Sequence, residues 1–188
     1  MPVGSQAERG MAPSTLTSSS YSHVVNVPIE CVDLAGWLTN LTNSEYRRCC
    51  PGAHVAAGVS PTVGGERISI HVEILGDFLL VHQYIAELNS RCRCRMASVS
   101  DVFTTAGRTA IYVLWELGVE PFDASSCEYV NHLSAIATDD LSAFITAHGI
   151  GFEEAAAAYA EAFEAHNALE TASFAASIER RARAVGQA

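Results

Sequence analysis

The sequence predicts an α+β domain in which a curved, seven-stranded antiparallel sheet wraps one long C-terminal helix. Three observations carry this expectation. From His54 to Ala137 apolar residues recur with a period of two, and turn signals at Gly64-Gly65, Gly76-Asp77, Asn89-Ser90, Ala106-Gly107 and Pro121 to Ser125 divide the run into six strands. Connections that short make neighbouring strands antiparallel. After Gly149 and Gly151 the chain becomes rich in Ala and Glu, with neither Pro nor Gly through Ile178, and no other element is long enough to cover the sheet's apolar face.

Taken in order, Met1 to about Ser20 is rich in Ser, Thr, Gly and Pro and lacks periodicity, which predicts a flexible tail followed by one domain over residues 21–188. Ser22 to Pro28 reads as a first strand. Pro28 to Leu41 reads as a short helix with Val32, Leu34, Trp37, Leu38 and Leu41 inward, and Ser44 to Arg48 as a second short turn. The six strands are expected at His54–Pro61, Arg67–Leu75, Phe78–Leu88, Arg91–Phe103, Arg108–Val119 and Ser126–Ala137. Asp139 and Asp140 are expected to cap a short helix to about His148, and the long helix is centred on Tyr159 to Ile178.

The composition bounds the function. At 188 residues, 49% hydrophobic and 17% charged, the chain forms one globular domain with a sizeable core. A net charge of −10 argues against nucleic acid and anionic membrane as partners. No apolar run is long enough to span a bilayer and no signal pattern opens the chain, so a cytoplasmic protein is expected. The six cysteines form no C-x-x-C pair and read as reduced packing residues.

At helical spacing the last helix carries one stripe: Tyr159, Phe163, His166, Glu170, Phe174 and Ile178. The stripe is apolar at both ends and ionisable in the middle. His166 and Glu170, one turn apart, aim an imidazole and a carboxylate at one point, and burying them requires that they hold each other, a metal or a polar ligand. A solvated surface pair is the bland alternative, so other ligands must come from elsewhere. Glu73 is a candidate with a difficulty. Ile68, Ile70, Val72 and Ile74 form the apolar face of its strand, and Ser69, His71 and Glu73 the other. Glu73 serves only if the polar face lines the cavity and the outer face is covered, a homodimer being one cover, or if a bulge flips the register. Glu87 is the reserve candidate. His132 shares a face with Val130, Ser134 and Ile136, which points it at the helix, either as a satisfied half-buried histidine or as an acid or substrate contact.

The order of strand, two short helices, six strands and long helix resembles the helix-grip fold of the START and Bet v 1 superfamily. Two stretches, Tyr46-Arg47-Arg48-Cys49-Cys50-Pro51-Gly52-Ala53-His54 and His166-Asn167-Ala168-Leu169-Glu170, resemble the 2,4-diacetylphloroglucinol hydrolase family. That resemblance implies zinc held by His54, Glu73, His166 and Glu170, with Tyr46 contacting a phenolic or enolic oxygen of a small aromatic or polyketide-like substrate. His132, from its place on the last strand, is a further candidate for moving a proton. The implied reaction is hydrolysis of a carbon–carbon bond next to a carbonyl. The chain departs from the family where Cys49 and Cys50 replace an aromatic before Pro51, and in a shorter loop between the first two sheet strands, which alters the substrate pocket. The alternatives are a metal-free hydrophobic-ligand-binding protein or polyketide cyclase of the same superfamily, and a structural role in an oligomer.

Overall fold

In the computed structural model the described residues are 14–185. Seven strands, β1 (Thr15–Val25), β2 (His54–Pro61), β3 (Arg67–Leu75), β4 (Phe78–Asn89), β5 (Arg93–Thr104), β6 (Gly107–Asp123) and β7 (Ser126–Ala137), form one antiparallel sheet in the order β1-β7-β6-β5-β4-β3-β2. Three of the six repeated strands, β2, β3 and β7, have the bounds their alternation predicts. The first strand starts earlier than expected. Thr15 to Ser20 pair with β7, and Leu16 and Thr17 are buried there, so these residues belong to the sheet and not to a tail. A run of Ser and Thr hides its strand character because the pairing partner lies more than a hundred residues away. The rest of the expected tail, before residue 14, lies outside the described residues.

Between β1 and β2 a 3-10 turn (Ile29–Cys31) leads into α1 (Leu34–Thr39) and α2 (Asn43–Cys49). The Asp33 carboxylate caps α1 by accepting from Gly36 N at 2.9 Å, and Thr42 caps α2 by accepting from Glu45 N at 3.2 Å. The short helix α3 (Asp139–Ala147) is capped by Thr138, whose hydroxyl accepts from Leu141 N. Asp139 and Asp140 sit in its first turn, where they favour the helix dipole. Gly149, at φ +67°, ends that helix in a left-handed conformation, and α4 (Phe152–Val185) follows.

The whole predicted stripe of α4 is buried: Tyr159, Phe163, His166, Glu170, Phe174 and Ile178 are each 6% exposed or less. It lies in the hollow of the sheet, among aromatic side chains. Phe174 packs edge-on to Trp37 at 5.2 Å and tilted to Trp115 at 5.9 Å, and Phe78 stacks on Tyr159 at 4.7 Å. The far end of α4 is tied to α1 and α2 by hydrogen bonds from Trp37 Nε1 to Ser177 (3.0 Å), and from Ser177 and Arg180 to Glu45 (2.6 Å each).

Burial also decides which face of β3 points inward. His71 and Glu73 are buried, whereas Ile74 is 45% exposed. The polar face therefore lines the hollow, and Ile74, Leu79, Ile85, Val99 and Phe103 stand exposed on the outer side of the single chain. Among the described residues no helix is long and apolar enough to cross a membrane.

Candidate metal centre

His54 arrives at the centre through a tight turn and a bulge. Its backbone N–H and that of Ala53 both donate to the Cys50 carbonyl, at 2.9 and 3.2 Å, across Pro51 and Gly52, and Gly52 takes φ +95°, which a side chain would strain. Along the rest of β2, Ala56 pairs with Val72 and Ala57 with His71, so uninterrupted pairing would set His54 opposite the outward Ile74. A register shift between His54 and Ala56 sets it opposite Glu73 instead. One extra residue thus turns His54 from the outer face to the inner one. The bulge lies on the histidine's strand, and Glu73 needs none of its own.

Four side chains then converge. His54 Nε2 lies 3.3 Å from His166 Nε2 and 3.3 Å from Glu170 Oε2. His166 Nε2 lies 3.3 Å from Glu170 Oε2 and 3.6 Å from Glu73 Oε2. All four residues are at least nine-tenths buried. Supporting groups hold His54, Glu73 and Glu170. His54 Nδ1 donates to the Tyr46 carbonyl at 2.8 Å, which leaves Nε2 facing the cluster, and the Tyr46 ring stacks on His54 at 3.9 Å. The Tyr46 hydroxyl donates to Glu73 Oε1. Asn131 donates to Glu170 Oε1 at 3.0 Å and to Thr171 at 3.2 Å, and accepts from Trp115 Nε1 at 2.8 Å. His82 Nε2 lies 3.4 Å from Glu73 Oε2. Its Nδ1 donates to Ser100 Oγ at 2.8 Å, because the Ser100 proton is committed to Ser98 at 2.9 Å.

The electrostatics follow from this crowding. Burial opposes charge on His166, but Glu170, with Cys50 and Glu73, outweighs it and raises the imidazole to about 11. Burial pushes Glu73 up, and His82, His166 and His54 more than offset it, holding the carboxyl well below the usual range. Glu170 is lowered too, burial being outweighed by His166 and His54. Burial and the neighbouring Glu73 carboxylate push the Tyr46 hydroxyl well above its ordinary value, so it keeps its proton. Burial lowers His71 to about 4 and leaves it neutral, packed 4.6 Å from the Tyr46 ring.

The four residues fit a divalent metal. Tetrahedral donors at about 2.0–2.1 Å from one ion lie roughly 3.3 Å apart, close to the separations found. Among the described residues only histidines pair with Glu73 and Glu170, so two buried carboxylates have no Arg to balance them. A dication between neutral imidazoles would balance them. Cys50, His54 and His166 also offer donor atoms within 4.8 Å of one another, but Cys50 Sγ approaches the other nitrogen of His166, Nδ1, at 3.8 Å, so the carboxylates complete the Nε2 side.

Three expected residues are placed differently. His132 lies on the outer face, its side chain 35% exposed and 4.0 Å from Glu116, because the alternation of β7 turns Asn131 inward in its place. Glu87 is exposed and pairs with Arg95 at 3.0 Å, which removes it as a ligand. Tyr46 is fully buried with its hydroxyl on Glu73, so it orients that carboxylate and is not free for a substrate oxygen. Spacing gave no signal for Asn131, His82 or Ser100.

A cleft of about 450 Å³ between α4 and the β3–β4 turn touches the centre at His166. Cys50 and His166 line it, with Ile74, Phe78, Ala162 and Leu169 as apolar walls and Asp77 and Glu161 as acidic ones.

With the geometry in place, comparison locates the architecture. The Zhui aromatase/cyclase from Streptomyces sp. R1128 superposes with a TM-score of 0.63 at 14% identity, covering 90% of this chain and 98% of that one. This is the helix-grip fold. The likeness is one of fold alone. Weaker similarities within it are to norcoclaurine synthase from Thalictrum flavum (TM-score 0.49, 14% identity, 100% of this chain and 98% of that one) and to a START superfamily protein from Mycobacterium smegmatis (TM-score 0.43, 7% identity, 89% and 98%). No protein-family model and no curated protein sequence matches the chain. On the helix-grip, the four candidate ligands come from β2, β3 and α4 only, the strands at one edge of the sheet and the helix they enclose.

Proposed function

We propose that this protein is a zinc-dependent hydrolase that cleaves a carbon–carbon bond next to a carbonyl, as in deacylation of an acylated phenol. The observation that carries the proposal is the buried convergence of His54, His166 and Glu170, with donor atoms 3.3 Å apart, and of Glu73 at 3.6 Å from His166, beside a cleft. A divalent ion in this donor set supplies Lewis-acid polarisation of a carbonyl oxygen. The two glutamates cancel its charge, which favours that role over strong acidification of water.

The chain's own residues do the rest. The Tyr46 hydroxyl, held protonated, occupies Glu73 Oε1 and leaves Oε2 toward His166 and His82. Asn131 fixes Glu170 in the same way from the sheet. The cleft volume suits a one-ring substrate, since ligand pockets run from about 300 to 1,000 Å³. Asp77 and Glu161 along its wall, on a chain of net charge −10, disfavour anions and favour a neutral substrate.

Metal analysis and turnover test this together. Purified protein is expected to hold about one zinc per chain and to release the acyl group from a monocyclic acylphenol, with activity lost on chelation and restored by zinc. Metal-free protein that turns over the same substrate at full rate would overturn the proposal. The likeness to the aromatase/cyclase supports a second reading, in which the cluster is metal-free and the buried carboxylates and imidazoles move protons during cyclisation. Under that reading the purified protein carries no stoichiometric metal.

A further inference from the structure

The side of the sheet turned away from α4 is built like a second core face. On β3 the usual order is reversed: His71 and Glu73 face the hollow, and Ile68, Ile70, Val72 and Ile74 face out. The neighbouring strands continue that surface. Ile74 lies opposite Leu79, Leu79 opposite Phe103, and Val72 opposite Val81. Further along, Val99 lies opposite Tyr112 and Ile85 opposite Ala97. Val99, near the middle, is 61% exposed in the single chain. The charged groups on this side satisfy one another. Arg108 Nε donates to Asp101 at 3.0 Å, and at the far end Arg95 lies 3.0 Å from Glu87 and 3.9 Å from Glu116.

Size and charge say what covers this face. Four strands about 4.8 Å apart, with outward rows about 6.8 Å apart, give roughly 500 Å² in projection over four rows. Two such faces come to about 1,000 Å² together, where specific interfaces begin. A second copy fits without any charge match, because apolar rows meet apolar rows across a two-fold axis. The face's charges are already paired within the chain, so apposing two copies of net charge −10 brings no unpaired like charges together here. A partner chosen by charge finds nothing to recognise. The open edge of β2 is not the alternative route. Its Ala57 N–H donates to Asn43 Oδ1 at 3.0 Å, and Pro61 has no N–H to offer.

We propose that the chain forms a two-fold symmetric homodimer in which the outer faces of β3 to β6 pack on each other, as two layers of a sandwich about 10 Å apart. The two hollows, each with its α4 and its candidate centre, then lie on opposite sides of the dimer. This inference is independent of the metal reading above.

Sedimentation velocity on the full chain, from about 0.1 to about 100 µM, tests this with neither metal nor substrate. Wild type is expected to sediment at twice the chain mass, with monomer appearing on dilution. Val99→Arg puts a charge at the centre of the face, at a position already exposed in the single chain, so the fold is kept and the dimer Kd is expected to rise at least about 100-fold. Ile85→Arg, on the neighbouring strand, is expected to do the same. Val59→Arg, at a position 58% exposed on the other side of the sheet, is expected to leave the dimer intact. The circular dichroism spectrum of each variant separates lost association from lost folding. Wild type that stays monomeric at every concentration would overturn the inference. If that monomer bound neutral phosphatidylcholine vesicles and Val99→Arg did not, the face would belong to a lipid surface instead. A dimer that survives both Val99→Arg and Ile85→Arg, or one that Val59→Arg breaks, would also overturn it, by assigning association to another surface.

Discussion

Glu170 shows how much of this centre depends on single polar contacts. It is 4% exposed, its Oε2 meets two imidazoles at 3.3 Å, and its Oε1 is held by Asn131. Glu170→Gln keeps the volume and removes the charge. Zinc per chain is expected to fall well below one while the circular dichroism spectrum is unchanged, because Phe163 and Phe174 still anchor the helix on either side. Undiminished zinc stoichiometry and affinity in that variant would remove Glu170 from the ligand set. Asn131 acts at one remove. Asn131→Ala leaves Glu170 Oε1 and Trp115 Nε1 without partners, at a cost of about 1–3 kcal/mol. Zinc affinity is expected to drop roughly 10- to 100-fold, the usual effect of losing an outer partner of a metal ligand. Competition with a chromophoric chelator reads that drop, and an unchanged affinity would make Asn131 a packing residue only.

At the scale of elements, α4 is both the cover of the sheet and the carrier of half the centre. Its buried stripe supplies His166 and Glu170 between aromatic anchors, so one helix joins the core to the candidate centre. Removing residues from Gly151 to Ala188 uncovers Trp37, Leu80, Trp115 and the rest of the concave face. A chain cut this way is expected to aggregate and to lose cooperative melting, as light scattering and a thermal scan would show. A soluble truncated protein with a sharp transition would mean that the core lies elsewhere. The bulge in β2 is the other decisive element, since it alone sets His54 opposite Glu73.

For the molecule as a whole, the proposed metal would link binding to stability. An ion bound only by the folded state stabilises it by about 2.7 kcal/mol at a free concentration of 100 Kd. In a chain of this size that raises the Tm by roughly 5–10 °C. Wild type in excess zinc is expected to melt higher than wild type in chelator by that order, and Glu170→Gln is expected to show little difference between the two conditions. Equal melting of wild type in both would count against a metal in the native centre.

The sequence by itself determined the six-strand run, the long helix and the stripe along it, because each is a local periodicity and needs no distant partner to be read. Helical spacing pointed to His166 and Glu170 as neighbours, and a resemblance in two short motifs added His54 and Glu73 as expectations. Only the tertiary structure decided which way each strand faces. Alternation along β3 and β7 is compatible with either face inward, and the choice depends on where the helix lies and on one bulge. That choice admitted Glu73, expelled His132 in favour of Asn131, and placed Glu87 in solvent. The same packing committed the Tyr46 hydroxyl to Glu73, drew Thr15 to Ser20 into the sheet, and brought the Cys50 thiol beside His166, pairings between residues far apart in the chain that no local pattern encodes.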